Sequence, residues 1–575
     1  MHYLVLFIKL TAFFLSNLGF WELLRRKTQI NIYFLPSLTI AVQTTILFFA
    51  GLLNILKGTT YLLWGCGLAL LIFFITNDRN VKFINNYKKV GFVYLVISAA
   101  IMLFYVRGKI FTHYDNFSHW ALVVKQMLST NRYPNFEDTI IMFQEYPLGS
   151  STYIYYFAKL VGKNESLQMF AQIYTMLTCL LPIFTYTKKN QILSCGIMFF
   201  VTNFLFLYNI NVTDLLVDTL LPLVSMCALL YVYRYSVNFA KYHIELWLSI
   251  FYMIQIIQIK NSGIFFSAIA SIWILIRIRN DKAIISRLAI ALLPYITLKL
   301  WQNHCSYVYA SSATSKHAMT VANYKNVFAS KTAEDVRTIC HAMLKFSLTY
   351  KDVWFIFLCL IFAGIVCFTV AKANRQFFIK IFIFNLVMYI MYQVGTLVMY
   401  LYSMPGDEAT SLSSSSRYCK TILIAIVYGT ILLYLKIISD IELKRITGII
   451  SILTLVVVMF VAMKGTLGTF KTVFSDVPNA SERNWIQNVK NQYGIPMGES
   501  CCIVISSSDS GYTYYLGKYI FQTNDILTLI SPSKEDMDTI SSKYILVYDK
   551  ENTSVQGWIS TNYPGQVGNE VIIRK

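Results

Sequence analysis

Charge is what this sequence has least of. Of its 575 residues only 14% are Asp, Glu, Lys or Arg, while 56% are hydrophobic and the mean hydropathy is +0.53. A soluble chain of this length would need far more charge to cover its surface. Acids are scarcer than bases, 29 against 49, which leaves a net charge of +20. No basic stripe interleaves with aromatics in a polar segment, which sets nucleic acid aside as a partner. CxxC, HExxH and Walker A motifs are missing, as is any nucleotide-sugar signature. A structural zinc site and ATP hydrolysis are therefore not expected. There is no visible internal repeat of the kind many transporters carry.

What the chain does have is apolar runs long enough to cross a bilayer, which takes roughly 20 residues each. We read about fourteen spans, near 3–21, 31–52, 59–76, 91–107, 167–186, 192–209, 218–236, 244–258, 262–277, 284–301, 353–371, 377–402, 419–436 and 446–463. The first is a span and not a cleavable signal, because its basic cluster Arg25-Arg26-Lys27 follows the apolar run. Short basic loops alternate along the chain and nearly lack acids. They include Lys88-Lys89, Lys188-Lys189, Arg234 with Lys241, and Lys372 with Arg375. The positive-inside rule places them in the cytoplasm. The outer side then receives the long, chemically varied segments: 108–166, 302–352, 403–418 and the tail from 464.

The tail differs in kind. A helical stretch at Glu482–Gln492 precedes β-type runs such as Cys502–Ile505 and Tyr544–Tyr548, which suggests a small α/β domain outside the membrane. The expected division is thus 1–463 for the membrane domain and 464–575 for an extracytoplasmic α/β domain. Most of the 11 cysteines lie in apolar runs and read as small buried hydrophobes. Cys305 and Cys340 share one outer loop and could pair.

The first outer loop opens with Phe111-Thr112-His113-Tyr114-Asp115-Asn116-Phe117-Ser118-His119-Trp120. An acid and two imidazoles at the end of a span could be a solvated loop or a site. In a helix, Asp115 and His119 would share a face. The apolar residues Trp120, Leu122, Val123, Val124, Met127 and Leu128 suit a helix lying in the membrane interface. The loop ends in Glu145-Tyr146-Pro147-Leu148-Gly149-Ser150, and the stretch 150–161 after it is too short to span, which suggests a re-entrant or interfacial helix.

An apolar span, an acid followed by Phe-x-His-Trp, and a Tyr-Pro-x-Gly element before the next span resemble the GT-C superfamily of membrane glycosyltransferases. The closest likeness is to bacterial members that use polyprenyl-phosphate sugars. Three further elements, in order, are similar to that family: Asn211–Asp218, Lys260-Asn261-Ser262-Gly263, and Asp407-Glu408-Ala409 followed by Ser416-Arg417-Tyr418. The resemblance covers roughly residues 90–420. It implies an all-α polytopic fold and an active site on the outer face of the cell membrane. A sugar would pass with inversion from a polyprenyl-phosphate carrier to a glycan, teichoic acid or lipid of the cell envelope.

The roles the resemblance implies are as follows. Asp115 is the catalytic base, with His119 orienting it or touching phosphate. Lys260 and Arg417 hold the donor phosphate, because cations stabilise the charge that gathers there as the bond breaks. Tyr146, Asp214, Asp218, Glu408 and Tyr418 belong to the substrate site, although for Asp214 and Asp218 capping of the next helix is the slightly favoured alternative. Where the family has a second acid beside the first, this chain has Asn116, which argues against a bound metal without excluding a divalent ion. No cofactor is implied. Expected partners are the donor, the acceptor, membrane lipid, and a donor-synthesising glycosyltransferase with its flippase. Two other readings remain: a polymerase or ligase of surface polysaccharide, and a lipid-linked sugar flippase or transporter.

Overall fold

The computed structural model describes residues 2–77, 86–278, 284–309, 321–441 and 481–574, with 449, 452, 453, 456 and 457 besides. Among them, nine helices are long and apolar enough to cross a membrane, which marks a membrane protein. Four shorter apolar helices accompany them, Val90–Tyr105, Leu220–Tyr235, His243–Ile259 and Gly263–Arg277. The span expected at 446–463 lies outside the described residues, apart from five isolated positions.

The chain divides into two compact units. One is Met1–Arg107, Asn131–Tyr133 and Glu145–Ser475; the other is Gly108–Thr130, Pro134–Gln144 and Asp476–Lys575. This differs from the division expected at 464. Most of the first outer loop belongs with the tail, for reasons that lie in its aromatic residues.

In the larger unit, burial separates central helices from lipid-facing ones. The apolar window of Glu165–Tyr186 is 100% buried and that of Ser415–Asp440 94%, whereas Leu56–Asn77 is only 28% buried. An exposed apolar face is stable in lipid and would not be in water. The helices His2–Lys27 and Leu56–Asn77 cross at Gly19 and Gly67. A Cβ at Gly19 would collide with the Gly67 carbonyl, and one at Gly67 with Ser16. Small residues thus let the two backbones touch. At the end of the first helix, buried Glu22 pairs with Arg25 at 2.6 Å and Arg26 at 2.7 Å. Cations at a helix C-terminus suit its dipole.

The described residues of the segment 302–352 are largely helical. The span helix Ile284–Val308 runs past its expected end, and two further helices follow, Val321–Ala329 and Ala333–Thr349. The second starts at a capping box in which Thr332 and Asp335 satisfy each other's backbone N–H. Its Ile339 and Met343 pack with Tyr400, Met404 and Ala409. Cys305 and Cys340 are both free thiols, so the pairing open from sequence is not made. The helix Gly149–Leu160 is buried from Gly149 to Ala158. It lies inside the protein, not at an interface.

The smaller unit contains a four-stranded sheet. Its strands are β1 (Cys501–Ile505), β2 (Ile526–Ile530), β3 (Tyr544–Val547) and β4 (Val571–Ile573), in the order β2-β1-β3-β4. β1 is parallel to β2 and β3, and β4 is antiparallel to β3. Cys502, Val504, Ile545, Val547 and Ile572 form its core with Val555, Trp558 and Ile559. Every residue of β1 and β3 is buried, as continuous apolar runs in parallel strands require.

The loop helix Ala121–Thr130 and the turn Asn116–Trp120 before it belong to this unit. Phe117 meets Tyr512 and Tyr519 edge-on or tilted, at 5.6 and 5.3 Å between ring centroids, and Tyr114 meets Tyr515 at 4.8 Å. Lys125 Nζ donates to the Tyr519 carbonyl at 2.5 Å. Leu122, Val123, Val124, Met127 and Leu128 are buried in the protein, so this helix is not the interfacial one its sequence suggests. The loop's aromatic residues supply the contacts that draw it to the tail.

Candidate functional site

In the larger unit, three of the expected site residues converge. Asp218 precedes the helix Leu220–Tyr235, Lys260 follows His243–Ile259, and Arg417 lies in the first turn of Ser415–Asp440. Lys260 Nζ donates to Asp218 Oδ1 at 3.0 Å, and Arg417 Nε stands 4.0 Å from the same oxygen. Asp218 precedes Thr219, the N-cap of the helix beginning at Leu220, whose own side chain makes no cap bond. The Asp218 side chain is 3% exposed, against 21% for Lys260 and 27% for Arg417. The carboxylate is therefore sealed in while both cations keep a face outward.

Burial pushes the Asp218 carboxyl pKa up, but Lys260 and Arg417 outweigh it and hold the group below the ordinary carboxylate range. Burial likewise lowers the Lys260 pKa, and Asp218 and Tyr418 more than restore it, so the ammonium sits above its usual value. All three groups are ionised at neutral pH. Two cations thus converge on one buried carboxylate.

Arg417 is also an unusual cation for its position. A positive side chain in the first turn of a helix opposes the helix dipole. The N-cap Ser414 is in the left-handed conformation, φ 61°, and offers no side-chain cap. The helix start, Lys260 and Arg417 thus concentrate positive potential at one spot, the arrangement that receives anions at helix N-termini.

Tyr418 borders this cluster, with Lys260 Nζ 5.7 Å from its ring centroid. Tyr146 contributes to the electrostatic environment of Lys260. Asp214 is buried, and its carbonyl accepts from Gln172 Nε2 at 3.3 Å. Glu408 lies in the short helix Gly406–Thr410, with its carbonyl accepting from Ser413 N at 2.9 Å. Sequence reasoning missed two neighbours. Asn209 Nδ2 donates to the Arg417 carbonyl at 3.1 Å, and Tyr392 lies in the electrostatic field of Asp218 and Tyr418. Asn209 sits next to the quoted Asn211–Asp218 element, whereas Tyr392 is one aromatic among many in its span.

Asp115 and His119 lie in the smaller unit. The turn Asn116–Trp120 is π-helical, with Ala121 N donating to Asn116 O five residues back. That wider turn shifts the four-residue face expected for Asp115 and His119. His113 Nδ1 accepts from the Asp115 backbone N–H at 3.1 Å. His119 is 2% exposed. Its ring sits edge-on to Trp120 and Phe143, at 4.9 and 5.9 Å between centroids. Burial pushes its pKa down to about 3. The imidazole is thus held in an aromatic cage.

Among the described residues, no three His, Cys, Asp or Glu side chains converge as a metal site would require. Comparison of the chain with family models, curated proteins and solved structures returns no match. The site is therefore read from its own chemistry.

Proposed function

We propose that this protein is an integral membrane glycosyltransferase that takes a sugar from a polyprenyl-phosphate carrier and transfers it, with inversion, to a cell-envelope acceptor on the outer face of the membrane. The observation that carries this reading is the convergence of Lys260 and Arg417 on the buried Asp218 carboxylate, set where apolar helices end. A lipid phosphate brings one negative charge to that depth and an apolar tail to the helices beneath. At an effective dielectric of about 20, a unit charge pair about 4 Å apart is worth about 4 kcal/mol. That suffices to select an anionic headgroup over a neutral one.

In the reaction, an acceptor hydroxyl attacks the anomeric carbon and gives its proton to a carboxylate base, the role that the resemblance gives Asp115. The bond from that carbon to the phosphate oxygen breaks, and its electron pair leaves with the phosphate. Lys260 and Arg417 stabilise the charge gathering there. Arg417 can meet two phosphate oxygens at once with its planar fork.

Reconstituted protein supplied with a polyprenyl-phosphate sugar tests this. Arg417→Ala should weaken donor binding by about 10- to 100-fold, the range for a hydrogen bond to a charged group, and Arg417→Lys should restore it in part. Asp115→Asn should leave donor binding intact and lower turnover by about 10²- to 10⁴-fold. Normal donor binding in Arg417→Ala and Lys260→Ala alike would remove the phosphate site, and with it the reading.

A further inference from the structure

Three lysines from three elements of the larger unit come together. Lys57 lies in the first turn of the helix Leu56–Asn77, Lys159 in the last turn of Gly149–Leu160, and Lys163 in the link to Glu165–Leu180. The helices bearing Lys57 and Lys159 are in contact. One turn along each of them, Tyr61 lies in the electrostatic environment of Tyr155, so the two lysines stand level. Lys159 is held in place by Asn131, whose Oδ1 accepts from its Nζ and from the Tyr155 hydroxyl, the latter at 3.2 Å. Burial, and then the charges of Lys163 and Lys57, hold the Lys159 ammonium below the usual lysine pKa. Among the described residues, no acid forms an ion pair with Lys57 or Lys163.

The cluster lies at the end of the bundle that carries Lys260. The helices Leu35–Leu52 and His243–Ile259 run in one direction. Gln29 N, before the first, donates to Glu245 Oε1 at the start of the second at 2.6 Å, and Ser37 Oγ meets the Tyr252 hydroxyl further along at 2.6 Å. Their far ends therefore share one end of the bundle, one leading to Lys57 and the other to Lys260. On the topology expected from the basic loops this end faces out, where the positive-inside rule calls for no gathering of lysines. Like charges repel, and an anion among them relieves that repulsion. The surroundings say which anion. The turn before Lys57 leaves Leu53 70% and Ile55 55% exposed. Tyr61 and Leu62 are exposed on the helix that follows, whose apolar window is mostly unburied. A water-borne polyanion would leave this apolar rim in water. A lipid covers it with acyl chain and brings a phosphate to the ammonium groups. Phosphatidylcholine carries its own counter-charge, so the fit is to a lipid of net negative charge.

We propose that Lys57, Lys159 and Lys163 bind the phosphate headgroup of an anionic phospholipid, whose acyl chains lie against Leu53 and Ile55. The site is separate from the ion cluster and does not rest on the glycosyltransferase reading. Its test uses the full-length protein with Cys66→Ser and Cys340→Ser and a fluorophore on Ile55→Cys. The bilayer is an equimolar mixture of phosphatidylglycerol and phosphatidylcholine in which one lipid or the other is brominated. Bromine quenches on contact, so the two mixtures report which lipid sits beside Ile55. Brominated phosphatidylglycerol should quench several-fold more. Lys57→Gln, Lys159→Gln and Lys163→Gln should each cut that preference by up to about fivefold, the worth of one basic side chain at an anionic surface. The triple variant should abolish it. Quenching in pure brominated phosphatidylcholine should stay the same in every variant, which certifies the local fold; Lys57 and Lys163 are exposed and are the safer positions. Equal quenching by the two lipids around the protein with all three lysines overturns the site, as does a preference that survives the triple variant. If soluble polyphosphate, and not phosphatidylglycerol, alters the fluorophore through these lysines, the occupant is a water-borne polyanion and the lipid site falls.

Discussion

Replacing Asp218 with Asn would leave Lys260 and Arg417 facing one another with no carboxylate between them. Removing one partner of a buried pair typically costs about 3–5 kcal/mol, and less is expected here because both cations keep a face outward. Asp218→Asn should therefore lower thermal stability, and a polyprenyl phosphate should restore more of it than the same ligand adds to wild type. Equal ligand stabilisation of the two proteins would show that no anion meets these cations. His119 makes a second prediction at this scale, with the opposite sign from the usual paired histidine. Its folded pKa is about 3 against an ordinary 6.5. Above pH 6.5 both folded and unfolded forms are neutral and nothing is lost. Below it the unfolded form binds the proton first, so stability falls as pH drops from 6.5 towards 3, by about tenfold in the equilibrium constant per pH unit. Amide exchange of residues 116–128 should rise over that window, and His119→Phe should flatten the rise. The ion pair behaves otherwise. The depressed Asp218 pKa keeps its contribution down to pH values below the ordinary carboxylate range, and the raised Lys260 pKa keeps its own to the top of the lysine range.

At the level of elements, short runs with one periodicity were legible and distant partnerships were not. The strands β1 and β3 and the helix Ser481–Gln492 stand within a residue or so of where alternation and caps put them. The helix Gly149–Leu160 was legible as an element but not in its burial. It is apolar or small all round, and such a helix is buried inside a protein, which its length alone does not reveal. The affiliation of the first outer loop could not be read at all, because Tyr114 and Phe117 find their partners about 400 residues away in the chain. Arg483 fastens that join. It is 8% exposed, its Nη1 donates to the Phe111 carbonyl, and its guanidinium lies 5.5 Å from the Phe117 ring and 5.6 Å from Tyr519. Arg483→Ala should loosen residues 111–120, seen as faster amide exchange, and reduce turnover while donor affinity holds. Arg483→Lys keeps the charge but not the fork and should recover only part. A variant whose exchange rises while turnover stays normal would separate this loop from catalysis.

On the scale of the whole molecule, the smaller unit sets a condition on how the chain is threaded. Residues 108–144 and the tail are joined by Lys125 to Tyr519, by Phe117 to Tyr512, and by Asn524 Nδ2 to Thr139 Oγ1 at 2.6 Å. Hydrogen bonds and packed rings of this kind form only between segments in one compartment. The two must therefore lie on the same side of the membrane, although nine helices with spanning length or composition separate them in the described sequence between residues 145 and 441. The positive-inside rule predicts that the other side, with the alternating basic loops, is the cytoplasm. Single cysteines at Ser129 and Ser560, both exposed, should label together with a membrane-impermeant maleimide added to intact cells. A cysteine at Lys241, exposed in a basic loop, should label only after the membrane is opened. The background for these variants should carry Cys66→Ser and Cys340→Ser, because Cys66 is exposed and Cys340 partly so. Labelling of Ser129→Cys and Ser560→Cys from opposite sides would dissolve the smaller unit. Labelling of both from the cytoplasm would keep the unit intact but turn Asp115 inward, against the proposal that it serves an acceptor of the cell envelope.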